Sequence, residues 1–276
     1  MDDRNYKLEL NQMYSSLGIL NVPLETKCKH SNTCWKGIEH RMWNEEFEGI
    51  DEDEHCAHLY SPWIGNSYDA LKLLVLGINM NNYGGYNAET MLANYSIKAI
   101  AKGKRKINFD APGYPGTFFW HRIPAYVVAF LENANLMKPS WADDDFPSKE
   151  DVVKAFEYFA ITNSIKCSPK LSEEKDKSKP TGGMWENCPP FILKEEIRVL
   201  EPNKILICGN SDNFRYFNQK VLDSPGIYKN YSLTLKGLGQ IDGREIEIFV
   251  VPHPTSRGGN KVDIMYSLIN SLNDKK

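Results

Sequence analysis

Apolar and polar positions along this chain follow two periods. Over residues 5–20 the side chains Tyr6, Leu8, Leu10, Met13 and Leu17 recur at near-helical spacing, which predicts a helix. The run Leu73–Leu76 in "LKLLVLGINMNNYGG" is uninterrupted and apolar, as in a buried strand, and its Gly/Asn-rich continuation predicts a loop at the strand's carboxyl end. "HRIPAYVVAFLENANLM" predicts a helix with Pro124 near its first turn. "AFEYFAITNSI" holds a second strand, "PFILKEEIRVLEP" an amphipathic helix ended by Pro202, and "NKILICGNS" a third strand with a glycine turn. "REIEIFVVPHPTSRGG" gives a fourth strand, and "KVDIMYSLINSLND" a closing helix.

Strands that alternate with helices predict a three-layer α/β/α fold with a mostly parallel, four-stranded central sheet. No repeat and no linker divides the chain, so residues 1–276 are expected to form one domain. Between the strands, "CKHSNTC" and the polar stretch 170–183 predict loops. The acidic run 44–55 predicts a solvated surface. Residues 81–113, with "KGKRK" and "DAPGYPG", predict an insertion or flap.

Composition narrows the class. A hydrophobic content of 41% and an aromatic content of 12% suit a folded chain rather than a disordered one. No run of eighteen apolar residues is present, so no membrane span is expected. The polar start "MDDRNYKLELNQ" lacks the apolar centre of a signal peptide, and the expectation is a cytoplasmic monomer. In that compartment the six cysteines are expected as core thiols, metal ligands or catalytic groups rather than disulfides. The formal net charge of −3 gives no bulk support for nucleic-acid binding, so any such surface must be local.

Four strands end in unusual chemistry: "LGINMNN", "ITNSIKCSP", "ICGNSDNF" and "VVPHPTSRGG". In open parallel sheets ligands bind outside the carboxyl ends of the strands. Any one of these loops reads as a turn built from Asn, Gly and Pro. Together they direct Asn79, Asn163 and His253 toward one pocket. A phosphate-cradling nucleotide site is disfavoured, because neither G-x-x-x-x-G-K-[ST] nor G-x-G-x-x-G is present.

With these motifs in order, the chain resembles the uracil-DNA glycosylase superfamily from about residue 24 to 270. "LLVLGINMNN" is similar to its first motif in the G-I-N form, with Met80 where a proline is usual. "ITNSIKCSP" and "NCPPFILKEEIRVLEPNKILICGN" resemble its iron–sulfur branch, and "PHPTSRGG" resembles its second catalytic motif. "TFFWHRIPAYVVAFLE" resembles the segment that supplies a stacking phenylalanine before a helix.

The resemblance implies a DNA glycosylase that removes uracil or another modified base from a flipped nucleotide. Asn79 would position the attacking water, and His253 would donate to the base carbonyl as charge develops there. Asn163 would read one edge of the base with its donor and acceptor. Phe119, or alternatively Phe118, would stack on the base, with Gly77 and Asn81 beside it. Asn81 stands where strict uracil enzymes carry a bulkier aromatic, so a larger base, such as a hypermodified phage cytosine removed in antiviral defence, is an alternative substrate. A non-catalytic DNA-binding module on the same fold is a further alternative.

Ser256, Arg257 and Lys166 are candidate DNA contacts, with a surface position the bland reading for Lys166. Lys104 and Arg105, with Lys102 and Lys106, form either a phosphate-binding cluster or a solvated charge run. By resemblance, Cys28, Cys34, Cys167 and Cys188 would hold a structural [4Fe–4S] cluster, although the first pair is spaced C-x5-C rather than C-x2-C. Zinc on Cys28, His30, Cys34 and His40, or on the "HCAH" run, is the rival. Cys208 is expected as a core thiol.

Overall fold

The computed structural model describes residues 4–19, 30, 34, 62–78, 116–141, 147–166, 180–209, 211–254 and 261–274. Its centre is a twisted set of parallel strands: β2 (Leu73–Gly77), β3 (Phe159–Asn163), β4 (Lys204–Cys208) and β7 (Arg244–Val251). β2 pairs in parallel with β3 on one side and β4 on the other, and β4 pairs in parallel with β7. These are the four strands that the apolar runs predict.

Successive side chains of a strand point to opposite faces, so each run feeds two cores. Leu73, Val75, Ile161, Leu206 and Phe249 pack on one face with α3 (Gly116–Asn133), α4 (Lys149–Ala155) and α8 (Lys261–Asn273). Leu74, Leu76, Ala160, Ile205 and Ile248 pack on the other with α1 (Tyr6–Ser16), α6 (Lys194–Leu200) and α7 (Asp212–Lys220). The three-layer α/β/α architecture follows.

The sheet is larger than the four strands expected. It has seven, in the order β1-β3-β2-β4-β7-β6-β5. β1 (Trp63–Ile64) pairs antiparallel with β3, just before the short helix α2 (Tyr68–Leu71). β5 (Ile227–Tyr231) and β6 (Thr234–Ile241) add an antiparallel meander to β7. The β6–β7 turn is Asp242–Gly243, with φ of 51° and 74°, the left-handed pair that a two-residue hairpin of matching twist requires. Ser232 turns the preceding hairpin at φ 67°. β5 lies largely exposed, so it lacks the apolar run that marks the parallel strands.

Three helical expectations change. In α1 the buried side chains are Tyr6, Leu10 and Tyr14, whereas Leu8 is exposed. Asn5 caps it by accepting from the Leu8 N–H at 3.1 Å. α3 begins at Gly116, so Pro124 lies inside the helix rather than near its first turn. A proline there removes a helical hydrogen bond, but the residues from Ile123 to Leu131 around it that are apolar are all buried, and that packing outweighs the loss. The loop expected up to residue 183 ends earlier. α5 (Gly182–Cys188), capped by Thr181, runs through one π-helical stretch, Pro189–Leu193, into α6. Glu201 closes α6 at φ 47°, immediately before Pro202.

No helix among the described residues is long and apolar enough to cross a membrane. Residues 81–113 and the acidic run 44–55 lie outside the described residues.

Candidate functional site at the carboxyl edge of the sheet

All four parallel strands end on one edge. Gly77, the last residue of β2, stands opposite Asn163, the last residue of β3. Cys208, the last of β4, stands opposite Val251, the last of β7. Pairing of β2 and β3 continues beyond the strands. Ser164 N–H donates to Gly77 O at 3.0 Å, and Ile165 N–H donates to Ile78 O at 2.9 Å. The chain leading to Asn79 therefore leaves the sheet in register with the chain leaving Asn163.

Asn163 is buried, with 6% of its surface exposed. His253 follows β7 after Pro252 and is partly buried. Burial lowers its pKa below the ordinary imidazole value, because the imidazolium loses hydration there. The neutral ring keeps one N–H donor and one acceptor. The Arg122 guanidinium, from α3, donates to the carbonyl of Pro254 and ties that helix to the His253 turn.

A buried amide fastens these strand ends. Asn213, in the first turn of α7, is fully buried. Its Nδ2 donates to Cys208 O at 3.1 Å and to Gly77 O at 3.3 Å, and its Oδ1 accepts from Ser164 Oγ. Gly209, at φ 114°, turns the chain from β4 toward α7, a conformation suited to glycine.

Lys166 is not at the surface. Its side chain is fully buried and its ammonium pairs with the equally buried Glu196 carboxylate of α6. It also donates to Thr162 Oγ, which donates onward to Glu196 Oε2 at 3.0 Å, while Tyr14 OH donates to Glu196 Oε1. The expectation of a phosphate contact or a surface lysine is thereby corrected: a partner on a helix thirty residues later makes burial of this charge tolerable. Burial raises the Glu196 pKa, opposed by Lys166, Tyr14 and Thr162.

Cys34 and Cys188 share one small buried cluster with Ile165, Met184 and Trp185. Asn187 Nδ2 donates to Cys34 Sγ at 3.6 Å, and Cys34 Sγ lies 3.4 Å from Gly183 O. His30 and Cys34 are one helical turn apart, with Cys34 N–H donating to His30 O at 2.8 Å, and the His30 ring meets Phe191 edge-on. Among the described residues no group of three His, Cys, Asp or Glu side chains is placed to hold a metal ion. Cys208 is a core thiol, as expected, and burial pushes its pKa up.

Asn79, Asn81, Lys104, Arg105, Ser256, Arg257, Cys28 and Cys167 lie outside the described residues. Phe119 and Phe118 fall within the first turn of α3, not before the helix. Sequence reasoning did not single out Asn213, Ser164, Glu196, Thr162 or Tyr14. Each is a polar residue in an ordinary helix or strand setting, and only the fold brings it to a partner.

The sequence model of the uracil DNA glycosylase superfamily matches residues 105–273. No curated protein matches the chain.

Proposed function

The chain belongs to the uracil DNA glycosylase superfamily, and on that premise we propose that it hydrolyses the N-glycosidic bond of uracil, or of another modified base, flipped out of DNA, leaving an abasic site. The observation that supports this reading is that Asn163, the last residue of β3, and His253, just beyond β7 and with its pKa lowered by burial, stand at the same carboxyl edge of the parallel strands, with β2 and β4 between them.

Cleavage of the bond builds positive charge on the sugar and negative charge on the departing base. The reaction calls for donors facing the base and for a positioned water. His253 donates its N–H to the base carbonyl oxygen as charge grows there. A fixed donor of this kind contributes about 3–4 kcal/mol to the transition state. Its neutral state at pH 7 suits this role, since the donor needs no extra proton. Asn163 reads the base edge with one donor and one acceptor. Asn79, two residues beyond Gly77, orients the water; an amide is too weak a base to take its proton early. Phe119 stacks on the base, and Gly77 and Asn81 line its approach. Ser256, Arg257, Lys104 and Arg105 meet the DNA backbone.

Cys28, Cys34, Cys167 and Cys188 would hold a [4Fe–4S] cluster in this reading. Two features fit it: Cys34 and Cys188 share one buried cluster of side chains, and the Asn187 amide, which donates to Gly183 O at 2.8 Å, also lies 3.6 Å from the Cys34 sulfur. Bound there, these four thiolates would tie the N-terminal segment to the segment after β3, and the group would supply structural support rather than bond cleavage.

The test is an abasic-site cleavage assay. Oligonucleotides carry uracil, hydroxymethylcytosine or its glucosylated form, and Asn79→Ala and His253→Ala serve as controls. Cleavage at uracil, lost in both variants, is the expected result. Cleavage only of the cytosine derivatives would move the substrate to hypermodified DNA. DNA binding without cleavage of any substrate would overturn the enzymatic reading.

A further inference from the structure

The proposed chemistry uses residues from separate strands, and nothing in that chemistry accounts for Asn213. Its amide has two N–H donors and an acceptor oxygen, and all three are engaged at the carboxyl edge. One donor goes to Cys208 O at 3.1 Å, closing β4. The other goes to Gly77 O at 3.3 Å, closing β2. The oxygen accepts from Ser164 Oγ, the residue that follows Asn163. Ser164 N–H itself donates to Gly77 O at 3.0 Å, so Asn213, Gly77 and Ser164 form a closed ring of three hydrogen bonds. No exposed surface is involved: Asn213 is fully buried and Ser164 is 1% exposed.

We infer that Asn213 is a positioning residue for the reaction, setting the separation between the two strand exits that carry Asn79 and Asn163. Backbone pairing and the two shared cores hold β2 to β3 along their length. Beyond Gly77 and Asn163 the strands end, and among the described residues the Ser164 and Ile165 amide bonds and the Asn213 clip hold the two exits together. A side chain bonded to both exits and to β4 resists their separation more than any pairwise contact does. Displacement of a reacting group by about 1 Å can lower a rate about 100-fold. The inference rests on the glycosylase reading, and its test has an arm independent of cleavage.

That test compares wild-type protein with Asn213→Ala, Ser164→Ala and, as a core variant away from the strand exits, Val152→Ala on α4. Rates on uracil-containing oligonucleotides are measured in single-turnover and steady-state form. Amide hydrogen exchange is followed by NMR in the absence of DNA. Asn213→Ala is expected to lose about 100-fold in the single-turnover rate with KM changed less than about twofold, because the residue is fully buried with its polar atoms bonded to the protein. Ser164→Ala should lose less, and Ser164→Thr, which restores a hydroxyl, should recover most of that loss. The Ser164 and Ile165 amides should exchange faster in Asn213→Ala, while those of β7 stay protected. An unchanged rate in folded Asn213→Ala, or an equal loss in Val152→Ala, would overturn the inference. If wild-type protein cleaves no base, the functional reading fails and exchange decides alone: unchanged Ser164 and Ile165 protection sinks the clip. If Asn213→Ala does not fold, the Ser164 pair of variants carries the same comparison.

Discussion

Lys166 and Glu196 form an ion pair with neither side chain open to solvent. It joins the segment after β3 to α6, and Tyr14 brings α1 to the same carboxylate. Removing one partner leaves the other charge buried and unpaired. Lys166→Met should therefore cost about 3–5 kcal/mol in urea denaturation. The double variant Lys166→Met/Glu196→Leu should recover most of that. A loss below about 1 kcal/mol in the single variant would be the value for an exposed pair and would contradict the burial.

His253 sets a pH dependence of known sign. Its folded pKa is depressed by burial, so as pH falls through its ordinary value of about 6.5 the unfolded chain takes the proton first. The contribution to stability is fully present above about pH 6.5 and is lost as pH falls toward the folded pKa. Wild-type stability should thus decline more steeply than that of His253→Gln when both are measured from pH 7.5 downward. An imidazole that titrates at or above pH 6.5 by NMR would contradict this.

The cysteine reading is tested by composition. Protein purified without air should carry about four irons and matching acid-labile sulfide per chain. Cys34→Ser and Cys188→Ser should each lower both sharply. Stoichiometric zinc with no iron would replace the cluster with the rival metal, and neither metal would leave two structural thiols.

Asn163 carries the base-reading proposal. Asn163→Leu keeps the volume but removes donor and acceptor. It should cost about 1–3 kcal/mol in kcat/KM on the preferred base, the usual worth of a bidentate base contact. Equal losses on abasic-analogue binding would assign Asn163 to DNA docking instead.

Much of the fold is legible from the chain because burial on both faces of a parallel sheet writes itself as unbroken apolar runs. "LLVL", "FAIT", "ILIC" and "IFVV" all read that way. β5 and β6 do not: "IYKNY" is largely exposed and "TLKGLGQI" mostly half-buried and broken by two glycines, and Asp242–Gly243 after β6 is their one local sign. The edge that carries both Asn163 and His253 is legible too, since polar residues stand at the strand ends. Lys166 is not. A lysine beside a cysteine in a polar stretch reads as exposed, and only Glu196, with an exposed-looking Glu195 before it, reverses that. Asn213 shares its stretch with three other polar residues, and no spacing rule separates the buried one from its neighbours.

The antiparallel meander β5–β6–β7 also bears on the order in which the molecule assembles. Its strands pair with their sequence neighbours, whereas β2 must wait for β3 and β4, synthesised long after it. Contacts between nearby residues close with less loss of chain entropy and form earlier. The meander is thus expected to acquire amide protection ahead of β2 in pulse-labelled refolding, and simultaneous protection of both would refute it. β7 then presents a finished edge onto which β4, and through it β2 and β3, can zip. The candidate site, which needs the ends of both β7 and β3, would be completed last, although the His253 end of it forms with the meander.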